Sequence, residues 1–296
     1  MSKRNILTPE VISKLNNLSL KARFVVEGFI VGLHKSPYHG FSVEFSEHRS
    51  YGIGDETRHI DWKLWGKTDR FFIKQYEEET NLKSYLLIDQ SLSMTYKSHH
   101  MSKLEYAQTL AASIGYLMLK QQDAIGLTLF DEKIRINIPP KSKKGHLNII
   151  LSQMQNIKAG PKTQIAPVLH KTAEVIKKKG LIVLISDLFD DPDQILSGLK
   201  HFRYKGHEII VFHLLDPKEL SLDFIQRTKF KDLESGSEII TDPWHIQSDY
   251  QKSMEQFCNY TKFICRKNNI DYVKVSTDLP LDIALSEYLI KRTKIG

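Results

Sequence analysis

The chain has 296 residues, of which 41% are hydrophobic and 26% charged, and its formal charge is +7. That length serves one large domain or two small ones, and the composition excludes a disordered tail, a collagen-like repeat and a small disulfide scaffold. The modest positive excess aids solubility and leaves anionic partners open, but it is too small to identify a nucleic-acid binder.

Thr8-Pro9 reads as a helix N-cap followed by proline at the first helical position. Val11, Leu15, Leu18, Ala22, Val25, Val26 and Phe29 then recur at helical spacing, which predicts one helix of about 20 residues. Between Ser36 and Tyr85 the pattern changes. Phe41, Val43 and Phe45 alternate with polar residues as a strand would, a glycine-punctuated loop follows at Tyr51–Asp55, and Phe71–Tyr76 predicts another strand. From Tyr85 onward short apolar runs alternate with amphipathic helices. The runs are Tyr85–Asp89, Ala124–Phe130, Leu181–Ser186, Ile209–Leu214 and Asp271–Val275. A stripe of Leu104, Ala107, Leu110, Ala111, Ile114, Leu117 and Met118 separates the first two. Ile134–Ile138 follows the second run so closely that a hairpin strand is expected. Further helices fit Ile165–Lys178, Pro192–Arg203, Gln247–Lys267 and Leu281–Lys291. Such alternation means an α/β domain with a doubly wound, mostly parallel sheet covered on both faces. The expected division is an N-terminal helix with a charged, partly β region over residues 1–83, and the α/β domain over 84–296.

Lysine-rich pieces at Lys141–Lys144 and Lys177–Lys179 adjoin turns or helix ends and read as solvated surface. The two cysteines, Cys258 and Cys265, lie in a helical segment with Cα atoms about 10 Å apart, too far for a disulfide. Reduced thiols in a cytoplasmic protein are expected. The longest apolar stretch, Leu181–Ile185, is far short of the about 20 residues of a membrane-spanning helix. The N-terminus lacks a long apolar h-region, so neither a targeting segment nor direct membrane insertion is expected.

In a doubly wound sheet, ligands collect beyond the carboxyl ends of the strands where strand order reverses. The first long strand ends in Asp89-Gln90-Ser91-Leu92-Ser93, the third in Asp187, and a loop at Gly160-Pro161-Lys162-Thr163 precedes a helix. Asp89, Ser91, Ser93, Thr163 and Asp187 are all hard oxygen donors, a set that suits octahedral Mg²⁺, with Mn²⁺ or Ca²⁺ as alternatives. Each piece alone has a plainer reading, since serine or aspartate after a strand commonly caps the next helix.

The order Asp89-x-Ser91-x-Ser93, Thr163, Asp187 resembles the metal-ion-dependent adhesion site (MIDAS) of von Willebrand factor A (vWA) domains. The preceding region resembles the bacterial "domain of unknown function 58" (DUF58) branch of that superfamily. The matching residues include Ser36–Phe45, Glu47-His48-Arg49, Gly54-Asp55, Ile60-Asp61-Trp62-Lys63, Thr68-Asp69-Arg70 and Lys74–Leu82. They continue at Asp271-Tyr272-Val273 and Thr277–Leu281, so the likeness covers nearly the whole chain. One departure stands at the third loop, where Pro161-Lys162 precede Thr163 in place of the glycines common in relatives. The resemblance implies a binding module in which the serines and threonine contact the metal directly or through water, and the aspartates mostly through water. A protein partner would supply an acidic side chain. Members of this branch are linked with MoxR-type AAA+ ATPases, which implies an adaptor role in protein maturation.

Between Ser36 and Leu82, Asp55, Arg58, Asp61, Lys63, Asp69, Arg70 and Glu77–Glu79 form a dense block of both signs. It reads either as a partner-docking surface or as a charge network folding the insert, with Trp62, Trp65, Phe71 and Phe72 available for a local core. A metal-dependent phosphoesterase is the alternative function. It needs a second aspartate where Ser91 stands, and serine is a poor proton donor and acceptor near neutral pH. Gly66-Lys67-Thr68 resembles the end of a phosphate loop, but Asp61 occupies the position of the required glycine. No Gly-x-Ser-x-Gly, His-Glu-x-x-His or Cys-x-x-Cys motif occurs, and no nucleic-acid recognition motif is present.

Overall fold

The structure is a computed structural model that describes residues 8–33, 48–50, 65–66, 72–74, 82–160, 164–233 and 236–293. The chain divides into two compact units, Met1–Val31 with Leu82–Gly296, and Gly32–Asn81. This grouping differs from the sequence-based division after residue 83. The smaller unit contains β1 (His48–Ser50) and β2 (Phe72–Lys74), an antiparallel pair with Arg49 opposite Ile73. The strand expected at Phe71–Tyr76 is β2; the one expected at Phe41–Phe45 lies outside the described residues, as does the charged block. Trp65 is 38% exposed.

In the larger unit the single N-terminal helix is corrected to two, α1 (Pro9–Ser13) and α2 (Leu18–Leu33). The break is chemical. Asn17 Oδ1 accepts the Ser19 N–H at 2.8 Å, so asparagine starts a new helix by satisfying a backbone donor that its first turn leaves open. Thr8 makes no side-chain cap hydrogen bond.

The main domain then runs β3 (Lys83–Asp89), α3 (Lys103–Lys120), β4 (Ala124–Phe130), β5 (Ile134–Lys141), α4 (Lys144–Gln155), α5 (Ile165–Val175), β6 (Leu181–Ser186), α6 (Pro192–Tyr204), β7 (Glu208–Leu215), α7 (Pro217–Ser221), β8 (Thr228–Lys231), β9 (Glu238–Thr241), α8 (Pro243–Lys267), β10 (Asp271–Ser276) and α9 (Leu281–Thr293). Six strands form one sheet in the order β10-β7-β6-β3-β4-β5, parallel throughout except for β5, which returns antiparallel beside β4 as the expected hairpin. This is the expected doubly wound, mostly parallel α/β architecture. β4 and β6 are buried along their whole length, which is why they read as unbroken apolar runs rather than alternations. One large core joins Leu87, Ile182, Leu184 and Val211 of the sheet to Leu169 of α5, Leu199 and Phe202 of α6, and Ile264 of α8.

Among the α-helices and strands of the larger unit, three features lie outside the sequence reading. The start of α4 at Lys143-Lys144-Gly145 reads as a turn, although Leu147, Ile150, Leu151 and Met154 do recur at helical spacing and are buried. The short helix α7 and the two-stranded hairpin β8-β9 are the others. The helix expected from Gln247 starts earlier, at Pro243, and α5 ends at Val175, short of Lys178. Cys258 and Cys265 are free and buried.

Candidate metal centre

The chain winds outward from β3 to β4 and β5, then crosses to β6 on the other side of β3. The switch point therefore lies between β3 and β6, and the register sets Ile88 beside Ile185. Asp89 and Asp187 emerge there from adjacent strand ends, and both are buried.

Neutral donors hold Asp89. Its Oδ1 accepts the Ser91 N–H at 2.9 Å and its Oδ2 accepts the Ser186 hydroxyl at 2.7 Å. Burial raises its pKa from an ordinary 3.8 to about 7, and the facing Asp187 charge adds to the rise; the bonds from Ser186 and Ser91 act against it. Ser91 and Ser93 share a 3.0 Å hydroxyl–hydroxyl hydrogen bond on the loop beyond.

Asp187 is held differently. Lys103, at the first position of α3, is fully buried, and its Nζ lies 2.8 Å from Asp187 Oδ2 and 2.5 Å from Glu219 Oε1. The same ammonium lies 4.8 Å from the centre of the Phe189 ring. Burial, the largest influence on Lys103, acts to discharge it, but Asp187 and Glu219 together outweigh burial and hold it above its ordinary value. Burial raises Glu219 despite the lysine beside it. A capping box at Ser102 and Glu105 fixes the first turn of α3, and a second at Asp216 and Glu219 fixes α7, so both ends of the ion pair are anchored by helix starts. Asp216 also accepts the Ser98 N–H at 2.9 Å, tying the loop after β3 to the end of β7.

The third loop reaches the site through Gly160. A parallel bridge joins Ser91 to Gly160, and the Gly160 N–H donates to Gln90 O at 2.8 Å. A Cβ built on Gly160 would lie 1.9 Å from Asp131 Oδ2, so only glycine lets the loop approach this closely. Asp131 is itself fixed by Arg135 Nε at 2.6 Å and by Gln90 Nε2 at 3.2 Å. Beyond β6, Asp190 Oδ2 accepts the Ile165 N–H at 3.2 Å, which ties the start of α5 to the same edge. Leu188, one residue past Asp187, holds a left-handed φ of 53° while buried. Left-handed backbone of this kind stores about 1–2 kcal/mol in a non-glycine residue and clusters at functional loops.

Asp89, Ser91, Ser93 and Asp187 thus come together as the sequence pattern requires, and Thr163 lies outside the described residues. No group of three or more His, Cys, Asp and Glu side chains gathers in metal-ligating geometry among the described residues; this donor set is two carboxylates and two hydroxyls. The chemistry fits a hard divalent cation, because two buried carboxylates facing each other beside two hydroxyls form an oxygen-only donor set. Sequence patterning missed Lys103, Ser186 and Glu219. One signal was present for Lys103, since a cation at the first position of a helix opposes the dipole and needs an anion nearby.

The sequence pattern of the family described as "Protein of unknown function DUF58" matches residues 47–257. The chain belongs to the DUF58 family. A relative, the uncharacterized protein Rv1480 of Mycobacterium tuberculosis, is 25% identical over 258 residues, covering 86% of this chain and 80% of the relative. Among solved structures, an aerotolerance-related membrane protein from Bacteroides fragilis is similar at 17% identity and TM-score 0.48, covering 71% of this DUF58 chain and 99% of that one. BatB from Bacteroides thetaiotaomicron follows at 15% identity and TM-score 0.47, covering 72% and 99%. The SpRpn10 VWA domain is similar at 11% identity and TM-score 0.37, covering 70% and 94%. Strand order and register, rather than these likenesses, establish the fold of this DUF58 protein. Among its described residues no helix is long and apolar enough to cross a membrane.

Proposed function

We propose that this DUF58 protein is a non-catalytic, divalent-metal-dependent protein-binding module of the cytoplasm. The observation that carries the reading is the switch point itself, where buried Asp89 faces Asp187 beside the paired hydroxyls of Ser91 and Ser93. Ser91 and Ser93 would hold Mg²⁺ directly, with Thr163 as the third hydroxyl, while Asp89 and Asp187 would orient water around it. When bound, the cation supplies a positive charge that neutral hydroxyls and water leave poorly compensated, so an acidic side chain from a partner is favoured there. Lys103 fixes one oxygen of Asp187 and keeps that carboxylate from swinging. Ser186 does the same for Asp89. Metal and partner affinities are then coupled, each raising the other by the same factor. By its likeness to the family, the partner is a MoxR-type AAA+ ATPase.

The test is a pull-down from native lysate with the tagged chain in Mg²⁺, in EDTA, and with Asp89→Ala in Mg²⁺. An ATPase retained in the first and lost in the other two is the expected outcome. Identical partners in all three sink the metal-bridged reading. Independently, Mg²⁺ at 100 times its dissociation constant stabilises the native chain by about 2.7 kcal/mol, and a melting temperature unmoved by millimolar Mg²⁺ contradicts the site.

A further inference from the structure

The parallel strands all begin along the edge of the sheet opposite Asp89 and Asp187. Register lines them up, with Asp271 beside Ile210, Leu181 beside Glu208 and Ser84, and Lys83 beside Ala124. β5 runs the other way, so its last residue, Lys141, reaches the same edge beside Ile125. Six strands at a spacing of about 4.8 Å make a row about 24 Å long. Exposed cations follow that row. Lys120 ends α3, Lys141 ends β5, Lys177, Lys178 and Lys179 precede β6, and Lys267 ends α8. None of the six forms an ion pair among the described residues. Among the described residues of this edge one carboxylate, Glu174 in the last turn of α5, is exposed, and the others are withdrawn. Asp123 is buried and accepts the Leu82 N–H at 3.3 Å, Glu208 pairs with Arg203 at 2.9 Å, and Asp271 is half-buried.

Helix-end electrostatics explains part of this, because α3 and α8 carry cations in their last turns. It does not explain Lys177–Lys179, which lie past α5, a helix with no basic residue in its last turn, nor Lys141 on a strand. Apolar groups share the edge. Tyr204 at the end of α6 is 87% exposed, Val175 at the end of α5 is 46% exposed, and Phe263, one turn before Lys267, is 61% exposed. A row of lysines interrupted by an exposed tyrosine, valine and phenylalanine matches a surface that is anionic outside and apolar just beneath.

We propose that the amino edge of the sheet is a docking surface for the anionic headgroups of a lipid bilayer, with the lysines on phosphate and Tyr204 and Phe263 at headgroup depth. A nucleic acid is the less favoured anion, since among the described residues of the larger unit loop tips and helix ends form this edge, with no helix or ribbon to enter a groove.

The test is co-sedimentation of the full chain with phosphatidylcholine vesicles containing about 30% phosphatidylglycerol, against phosphatidylcholine alone, in about 0.1 M salt. Binding to the anionic vesicles, absent from the neutral ones and abolished near 1 M salt, is expected. Each surface charge removed lowers partitioning by about fivefold, so Lys177→Glu with Lys178→Glu and Lys179→Glu lowers it by about 100-fold or more, while the triple arginine variant binds as the native chain does. Tyr204→Ala weakens binding at unchanged charge. An unaltered thermal melt certifies the fold of each variant. No binding to anionic vesicles, equal binding by the glutamate variant, or preference for a DNA duplex over the vesicles at the same salt each overturns the proposal. The first outcome leaves the lysines as solvated surface, and the last assigns the edge to nucleic acid.

Discussion

The carboxyl edge of the sheet buries its charges among partners, whereas the lysines of the amino edge stand exposed with no ion pair among the described residues. At the first, Lys103, Asp187, Glu219 and Asp89 are all largely withdrawn from water, and each is held by named donors or counter-ions. At the second, Lys177–Lys179 stand in solvent. The difference teaches where electrostatic energy resides in this molecule. A buried charge is part of the folding free energy, because losing its partner leaves it stranded in a medium that cannot solvate it. An exposed charge contributes almost nothing to folding and is available to an outside ion.

The largest expected break of that contrast is Lys103→Met, which strands Asp187 and Glu219. It should destabilise the metal-free protein by about 3–5 kcal/mol in urea unfolding. A loss below about 1 kcal/mol would show that the buried triad has no special leverage. Next is the pH profile. His213, beside Ser186 in the register, is pushed down to about 4, chiefly by burial. Its unfolded form takes up a proton below an ordinary value near 6.5 and its folded form does not, so stability falls as pH drops from about 6.5 to about 4, by about 3 kcal/mol. Asp89 has the opposite sign. Raised to about 7, it keeps a proton that the unfolded chain has released, and that stability is present below about 3.8 and lost as pH rises toward 7. In the metal-free chain the two nearly cancel across pH 4 to about 6.5. Asp89→Asn removes one of them, so the variant should lose about 3 kcal/mol on acidification over that window where the native chain stays nearly level. Parallel profiles for the two proteins would count against the assignment.

Gly160→Ala comes third. Its Cβ must displace Asp131 or the Ser91–Gly160 bridge, and overpacking of this kind costs about 1–3 kcal/mol. It should also weaken Mg²⁺ binding by calorimetry, since displacing the bridge disturbs the loop that carries Ser91; unchanged binding would detach Gly160 from the site. The smallest effect closes the comparison. Single Lys→Glu changes at Lys177, Lys178 or Lys179 should shift stability by no more than about 0.5 kcal/mol, because these side chains are exposed and form no ion pair among the described residues.

The sheet was legible in the sequence for a physical reason. Strands buried on both faces appear as apolar runs, helices on them as stripes, and the short link between β4 and β5 forbids a crossover. The carboxylates were legible because an acid immediately after such a run falls at the strand end. Lys103 was not, since its partners Asp187 and Glu219 are distant in sequence and only the strand order brings them together. The β8-β9 hairpin was hidden by its brevity, with four residues in each strand and one largely exposed pair, Ile239 and Ile240. The break between α1 and α2 was written in Asn17 but masked by the apolar spacing on either side, and Thr163 lies outside the described residues.

Cys258 and Cys265 face the core from α8, and burial pushes the Cys265 thiol up to about 12. Neither can react with a thiol reagent until α8 lifts from the sheet. Alkylation kinetics of the native chain therefore time the opening of that helix, with no probe engineered in, and reveal whether it detaches alone or only with the rest of the fold.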